Sequence, residues 1–160
     1  SASRCFDELE YLNIDVLGMK GKSRVINIPN DRKQVWQQIE NVLRNPVIRR
    51  FVLREDMKLE KKAGISALCE YSLLSDNVYP TYAVTKKELK DSAVKVEKQV
   101  SELEEIGCVV LELGYFIDFL GKGFQDPLSV VLSLTGEEQE EERVDISINE
   151  MLEEYVWSKD

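Results

Sequence analysis

The chain of 160 residues carries a formal net charge of −9, with 43% apolar and 32% charged residues. This composition is typical of a globular domain with a sizeable apolar core, and it excludes fibrous and disordered classes. No apolar run approaches the length that spans a bilayer, and the first ten residues lack the basic and apolar segments of a secretory signal, so we expect no membrane partner.

The cysteine spacing and the absence of histidine argue against a metal site and against catalysis. Cys5, Cys69 and Cys108 are widely spaced, without a CxxC pair, and the chain has no histidine. We therefore predict reduced thiols in an intracellular protein, cytoplasmic or nuclear. The commonest zinc ligand and the commonest general base are both missing, so we expect no metal, no cofactor and no enzymatic activity.

The first part of the chain predicts a short helix, a hairpin and a longer helix. The short helix is expected over Arg4–Tyr11. Asn13–Gly18 and Arg24–Ile28 alternate apolar and polar residues around a glycine-containing turn, which predicts a β-hairpin. The Asn-Asp pair before Arg32–Arg44 can cap a helix whose apolar residues share one face.

The segment after Arg44 is compatible with either a helix or a strand. Asn45-Pro46 is typical of a cap followed by a proline in the first turn, which predicts a helix through Val52. The alternative is a strand over Arg50–Arg54. A helix is predicted over Ile65–Leu74, and a short strand is predicted at Tyr82–Val84.

The strongest local signals lie between Thr85 and Leu113. A helix over Glu88–Ile106 is predicted, with Thr85 and Glu88 in a capping-box pattern and Gly107 as a positive-φ stop. Cys108–Leu113 has the composition of a buried strand. Five apolar residues recur at helical spacing on one stripe of the helix: Leu89, Ala93, Val96, Val100 and Leu103.

The C-terminal part predicts three strands and a helix. Tyr115–Leu120 can form a hairpin with the preceding strand, and Leu128–Leu134 has strand composition. Val144–Ile148 alternates as an edge strand, and a final helix is expected over Asn149–Trp157.

Together these elements predict an α+β fold, with helices packed on a small, mainly antiparallel sheet. Residues 1–136 are expected to form a single core domain. Residues 137–160 are expected to form an acidic strand and helix segment packed on the same domain.

The central stretch resembles part of the winged-helix family. The resemblance rests on Thr85-Lys-Lys-Glu-Leu89, on Leu103-Glu-Glu-Ile-Gly107, and on a hairpin wing from Cys108–Leu113 with Tyr115–Leu120. The turn that separates the two helices of that family is missing, because Asp91-Ser92 is the only candidate break. The resemblance implies a winged-helix unit and a nucleic-acid-associated regulatory role.

The charge is unevenly distributed. Glu137 to Asp160 contains ten acidic and two basic residues, whereas Arg44 to Lys62 contains seven basic and three acidic ones. The acidic run Glu137–Glu142 is therefore predicted to screen the basic segment Arg44–Lys62, or to dock against a basic partner.

We interpret the chain as a non-catalytic protein–protein interaction module or a subunit of an intracellular assembly, with a basic protein or a second copy as partner. The alternative is a nucleic-acid-associated domain of winged-helix type, although Glu102 and Glu105 would repel phosphates. A further alternative is a small metal-dependent enzyme using carboxylate pairs such as Glu112 and Asp118. The candidate partner-binding residues are Arg44, Arg49, Arg50, Arg54, Lys58, Lys95, Lys98, Glu102 and Glu105.

Overall fold

The structure, a computed structural model, describes residues 17–20, 23–26, 31–91 and 105–158. The chain divides into two compact units, residues 1–44 and 45–160. Residues 137–158 belong to the second unit, and the division at residue 136 stays a prediction. The helix predicted over Arg4–Tyr11 lies outside the described residues.

The first unit contains a hairpin and a helix. Strands β1 (Leu17–Lys20) and β2 (Ser23–Ile26) pair antiparallel, which confirms the predicted hairpin. Helix α1 spans Arg32–Ile39 and ends before the predicted Arg44. The Asp31 carboxylate caps it by accepting hydrogen bonds from the first-turn backbone at 3.1 and 3.3 Å.

The second unit is built on a mixed sheet of three strands in the order β3-β5-β4. The strands are β3 (Val47–Leu53), β4 (Thr81–Thr85) and β5 (Cys108–Leu113). The central strand β5 pairs antiparallel with β3 and parallel with β4, and all six of its residues are buried. The predicted α+β class and the strands at Cys108–Leu113 and Tyr82–Val84 are confirmed.

The helix predicted after Asn45-Pro46 is wrong, because this segment forms β3. The Asn45 side chain accepts a hydrogen bond from the Val47 backbone N–H at 2.8 Å, which makes a local turn rather than a helix cap. The β-branched and aromatic residues that follow suit a strand and pair along β5. The strand is longer than the Arg50–Arg54 alternative and ends at Leu53.

Five helices accompany this sheet among the described residues: α2 (Gly64–Tyr71), α3 (Lys86–Asp91), α4 (Pro127–Ser133), α5 (Gly136–Glu140) and α6 (Glu142–Tyr155). Helix α2 confirms the helix predicted over Ile65–Leu74. Helix α3 covers only the start of the helix predicted over Glu88–Ile106. Residues 92–104 lie outside the described residues, and Glu105 and Ile106 are not helical, so the predicted end at Ile106 is wrong. The first turn of α3 is capped as expected, because Thr85 Oγ1 accepts a hydrogen bond from the Glu88 N–H at 3.3 Å.

Two predicted strands near the C-terminus are helices instead. Leu128–Leu134 lies largely in α4, whose start is fixed by the Asp126 carboxylate and by a proline in the first turn. Val144–Ile148 lies in α6, which begins seven residues before the predicted cap Asn149. In α6 the buried residues follow a helical period and pack into the main core, so tertiary packing decides against the strand.

The main core of the second unit lies among α2, α4 and α6. Its largest fully buried side chains include Leu68, Val130 and Met151. Two smaller clusters contain alternate residues of β5, with Val110 in one and Val109 in the other. The helices therefore form one layer of the unit, and the sheet contributes apolar side chains on both faces.

Gly107 is required for a different reason from the predicted one. Its φ is not among the positive values, which occur at Gly64, Gly121 and Gly123. A Cβ atom at Gly107 would lie 2.3 Å from the carbonyl oxygen of Arg54. Gly107 also donates a backbone hydrogen bond to Leu53 at 2.8 Å. Close approach of two backbone segments therefore explains the glycine.

The predicted hairpin wing is also wrong. Tyr115–Leu120 forms no strand, and β5 takes β3 and β4 as its neighbours. The chain leaves the sheet at Gly114, whose N–H donates to the Pro46 carbonyl oxygen at 2.9 Å. Both edges of β5 are thereby occupied by strands from earlier in the chain.

Candidate functional site

The basic segment predicted as a contact surface is largely engaged in ion pairs. Arg49 binds the buried Glu112 side chain through two hydrogen bonds of 3.2 and 2.9 Å. Lys62 pairs with Glu70 at 2.7 Å, and Lys61 pairs with Glu88. These basic side chains are therefore committed to acidic residues of the same unit.

One contact joins the basic segment to the acidic run among the described residues. Arg50 Nη1 lies 3.6 Å from Glu138 Oε1, and both side chains are partly buried. Glu138 also closes a capping box with Thr135 at the start of α5. One ion pair thus supports the hypothesis that Glu137–Glu142 screens the basic segment Arg44–Lys62. For the other basic residues of that segment, screening stays a hypothesis.

The other predicted contact residues that the structure describes are exposed. Arg44 is exposed in the first unit, and Arg54, Lys58 and Glu105 are exposed in the second. Lys58 has a φ of 48°, and its backbone N–H donates to Asp56 at 2.9 Å. The remaining three, Lys95, Lys98 and Glu102, lie outside the described residues.

The carboxylates considered for metal chemistry have structural partners. Glu112 is bound by Arg49, and both oxygens of Asp118 accept backbone hydrogen bonds within their own loop. Across the described ranges, no group of three or more acidic or cysteine side chains is placed to hold a metal ion.

The two described cysteines are shielded thiols. Burial, together with nearby Asp76 and Glu70, raises the pKa of Cys69 to about 11. Burial also raises the pKa of Cys108, whose Sγ lies 3.2 Å from the Glu55 carbonyl oxygen. Since the thiolate is the reactive form, neither residue is suited to act as a nucleophile.

Tyr115–Leu120, named here the apolar loop, presents large apolar side chains to solvent. Ile117 is 53% exposed and Phe119 is 50% exposed, and Tyr115 and Leu120 are also exposed. Single exposed side chains of this kind are ordinary on a protein surface, but four within six residues concentrate apolar surface in one short segment. This segment is the most distinctive surface feature that we find in the described part of the second unit.

The apolar loop is ordered by polar contacts beneath it. Asp118 Oδ1 accepts a hydrogen bond from the Lys122 N–H at 3.0 Å, and Oδ2 accepts one from the Gly123 N–H at 2.8 Å. The Asp126 N–H donates to the Ile117 carbonyl oxygen at 3.0 Å. Because the backbone is fixed by these bonds, the exposed side chains have a defined position before any partner binds.

Contacts with neighbouring elements complete the support. Ser129 Oγ lies 3.2 Å from Tyr115 Oη, and the Lys61 ammonium lies 5.1 Å from the centroid of the Phe116 ring. Gly123 has a φ of 81°, and a Cβ atom there would lie 3.0 Å from the Glu60 carbonyl oxygen. The end of the loop is therefore packed closely against the chain before α2.

The sequence interpretation treated this segment as a strand and did not identify it as a site. The available signal was an apolar segment between Gly114 and Gly121 with Asp118 at its centre, since a short acidic side chain often binds the backbone of its own turn. Exposure of the apolar side chains could not be deduced from their identity.

Comparisons of the chain with protein-family models, with curated proteins and with solved structures gave no match. Among the described residues, no helix combines the length and the apolarity that crossing a membrane requires. The candidate site therefore rests on the geometry of the apolar loop alone.

Proposed function

We propose that the chain is a non-catalytic protein–protein interaction module that docks through the apolar loop into an apolar pocket of a protein partner. The ordered exposure of four large apolar side chains between Tyr115 and Leu120 carries this proposal. Aromatic side chains that enter a pocket and leave water contribute a large share of binding free energy at protein interfaces.

Preorganisation supports a docking role for this loop. Immobilising a mobile loop on binding costs free energy that must be subtracted from the affinity. The hydrogen bonds that the Asp118 carboxylate and the Ile117 carbonyl oxygen accept fix the backbone in the free protein, so little of this cost remains. An intracellular location is part of the proposal, and the unpaired thiols Cys69 and Cys108 support it.

Site-specific photo-cross-linking tests the proposal. A photoreactive amino acid at position 119 should give a discrete protein adduct in cell extract, whereas the same amino acid at the exposed position Glu137 should not. The partner, identified by mass spectrometry and purified, should form a complex detected by light scattering. The double substitution Ile117→Ser and Phe119→Ser should weaken that complex at least about tenfold, because two apolar anchors are lost.

Other outcomes would contradict the proposal. Sedimentation of the intact chain with lipid vesicles, lost in the double variant, would assign the loop to a membrane surface instead. A salt-sensitive shift with DNA or RNA that weakens on charge reversal of the exposed Arg54 and Lys58 would support the nucleic-acid alternative. Equal complex formation by the native and doubly substituted chains would remove the apolar loop as the docking element.

A further inference from the structure

A second surface feature lies between the end of α2 and the last turns of α6. It is a groove of about 660 Å³, named here the acidic groove. Its lining includes the following side chains of the two helix ends: Glu70, Leu73, Glu150, Glu153, Glu154 and Tyr155. A volume of this size is enough to receive several side chains of a binding partner.

Apolar side chains also line the acidic groove. Leu73, two residues after the end of α2, is 95% exposed. Beside it, the rings of Tyr71 and Tyr155 pack edge to face with centroids 5.1 Å apart. The groove therefore combines the exposed Leu73 with the half-buried ring of Tyr155, which is held in place by the buried ring of Tyr71.

The rim of the acidic groove is negative. Among the described residues, four glutamates line it and no lysine or arginine does. Glu70 is paired with Lys62, whereas Glu150 and Glu154 make no ion pair with any described residue. The described residues thus neutralise the negative potential at the rim only in part.

The helix ends strengthen this potential. Helices α2 and α6 both have their C-terminal ends at the groove, and neither has a basic residue in its last turn. The C-terminal end of a helix carries partial negative charge, so acidic side chains there oppose the stability of the helix. Local rules that are broken at a cost to stability are expected at functional sites.

We propose that the acidic groove binds a basic amphipathic helix of a protein partner, with an apolar residue on Leu73 and lysines or arginines along the glutamate rim. Charge complementarity selects this occupant. A second copy of this chain, at net charge −9, would be repelled, and so would the phosphates of a nucleic acid. The inference rests on the proposed interaction function but uses a surface separate from the apolar loop.

Peptide binding tests the inference. The probe is a fluorescent amphipathic helix of about 14 residues, with leucines on one face and lysines elsewhere, and the full chain is titrated into it. Fluorescence anisotropy should show saturable binding that weakens with salt. A peptide with glutamate in place of every lysine should not bind.

Matched variants distinguish binding in the acidic groove from non-specific attraction to the negative net charge of the chain. The double substitution Glu150→Gln and Glu154→Gln should weaken binding about tenfold, and Leu73→Ser should weaken it similarly. The control is Glu55→Gln with Glu60→Gln, two exposed residues before α2, which removes the same charge outside the groove and should change the affinity less than about twofold.

Two results would overturn the inference: absence of saturable peptide binding up to about 1 mM, or an equal loss of affinity in the control variant. The two proposals fail separately. Peptide binding that persists in the Ile117→Ser and Phe119→Ser variant, without cross-linking at position 119, would refute the apolar loop and retain the acidic groove. The reverse pattern would retain the loop alone.

Discussion

Arg49 binds Glu112 across the β3–β5 pair with two hydrogen bonds, from Nε to Oε2 at 3.2 Å and from Nη2 to Oε1 at 2.9 Å. Glu112 is only 2% exposed, although it lies in the central strand of the sheet. Hydrogen bonding by the guanidinium lowers the pKa of Glu112 below the ordinary carboxyl range. A residue predicted to contact a partner therefore stabilises the sheet.

Replacing Glu112 by glutamine should destabilise the second unit by about 1–2 kcal/mol, because a charge-assisted bidentate pair is lost. The free energy of unfolding is measured by urea denaturation at neutral pH. Because the pKa of Glu112 is lowered in the folded chain, its contribution is complete above the ordinary carboxyl pKa and is lost as the pH falls through the folded value. The difference between native and E112Q chains should therefore shrink in acid.

The control for this experiment is Glu141→Gln, which removes the exposed pair with Arg143 and should cost less than about 0.5 kcal/mol. An equal loss of stability in the two variants would contradict the role given to Glu112.

The Tyr82 hydroxyl donates a 2.6 Å hydrogen bond to Asp56 Oδ1. This bond, followed by one from the Lys58 backbone N–H, lowers the pKa of Asp56. Tyr82→Phe should therefore raise the pKa of Asp56 towards its ordinary value and cost about 1 kcal/mol at neutral pH. Carbon-13 NMR titration of the Asp56 carboxyl group measures the first effect.

The stability difference between native and Tyr82→Phe chains should decrease as the pH falls through the folded pKa of Asp56, since that pKa is lowered and the protonated acid accepts the bond less well. Tyr79→Phe, half-buried and without a side-chain hydrogen bond to any described residue, is the matched control. A titration of Asp56 that is unchanged in the Tyr82→Phe chain would refute the assignment.

Cys69 and Cys108 should react slowly with a thiol reagent in the folded chain. Raising the pKa of Cys69 from 9.0 to about 11 reduces its thiolate fraction about 100-fold at neutral pH. A Cys5→Ser background isolates these two thiols, and absorbance at pH 7.5 follows their reaction. Both should become reactive in urea, whereas fast reaction of either in the folded chain would show that it is accessible.

Gly107→Ala should destabilise the second unit by about 2 kcal/mol or more, because the added methyl group would overlap the backbone of Arg54 and Glu55. Gly136→Ala, in the first turn of α5, is the matched control, since a Cβ atom there meets nothing within 4 Å. We expect that control to be neutral or slightly stabilising. The thermal unfolding temperatures of the two variants are compared. A loss of stability at position 107 alone would show that the close approach of the two backbone segments requires the glycine.

Charge reversal at the two ends of α6 should act in opposite directions. Glu154→Lys in the last turn should stabilise the chain by about 0.3–1 kcal/mol, because a cation there interacts favourably with the helix dipole. Glu142→Lys in the first turn should destabilise it by a similar amount. Unfolding measurements at low salt test both, and changes of the same sign would remove the dipole argument made for the acidic groove.

Long and strongly patterned segments were predictable. Cys108–Leu113 was identified with its observed bounds, because a buried central strand is apolar on both faces and is bounded by glycines. Short segments were not. β-Branched residues favoured a strand at Leu128–Leu134 and at Val144–Ile148, and both segments are too short to distinguish the period of a strand from that of a helix. Both segments are helical because their apolar residues pack in the core formed by α2, α4 and α6.

The candidate sites were less predictable than the fold. Charge alone suggested Arg49 and Arg50, but a charge count does not reveal that each has an acidic neighbour distant in sequence. The apolar loop has the composition of a strand, but it is exposed because the chain leaves the sheet at Gly114, before the loop begins. Leu73 looked like a core residue, because the helix period does not show that α2 ends at Tyr71.

The central position of β5 has a consequence for biosynthesis. Strands β3 and β4 both pair with β5, and Arg49 and Glu112 are 63 residues apart in sequence. Contacts this distant close slowly, so folding in milliseconds to seconds is expected. A nascent chain that ends before Cys108 has two strands without their shared neighbour and could pair with other chains instead. The three-stranded sheet can therefore form only after β5 has been synthesised.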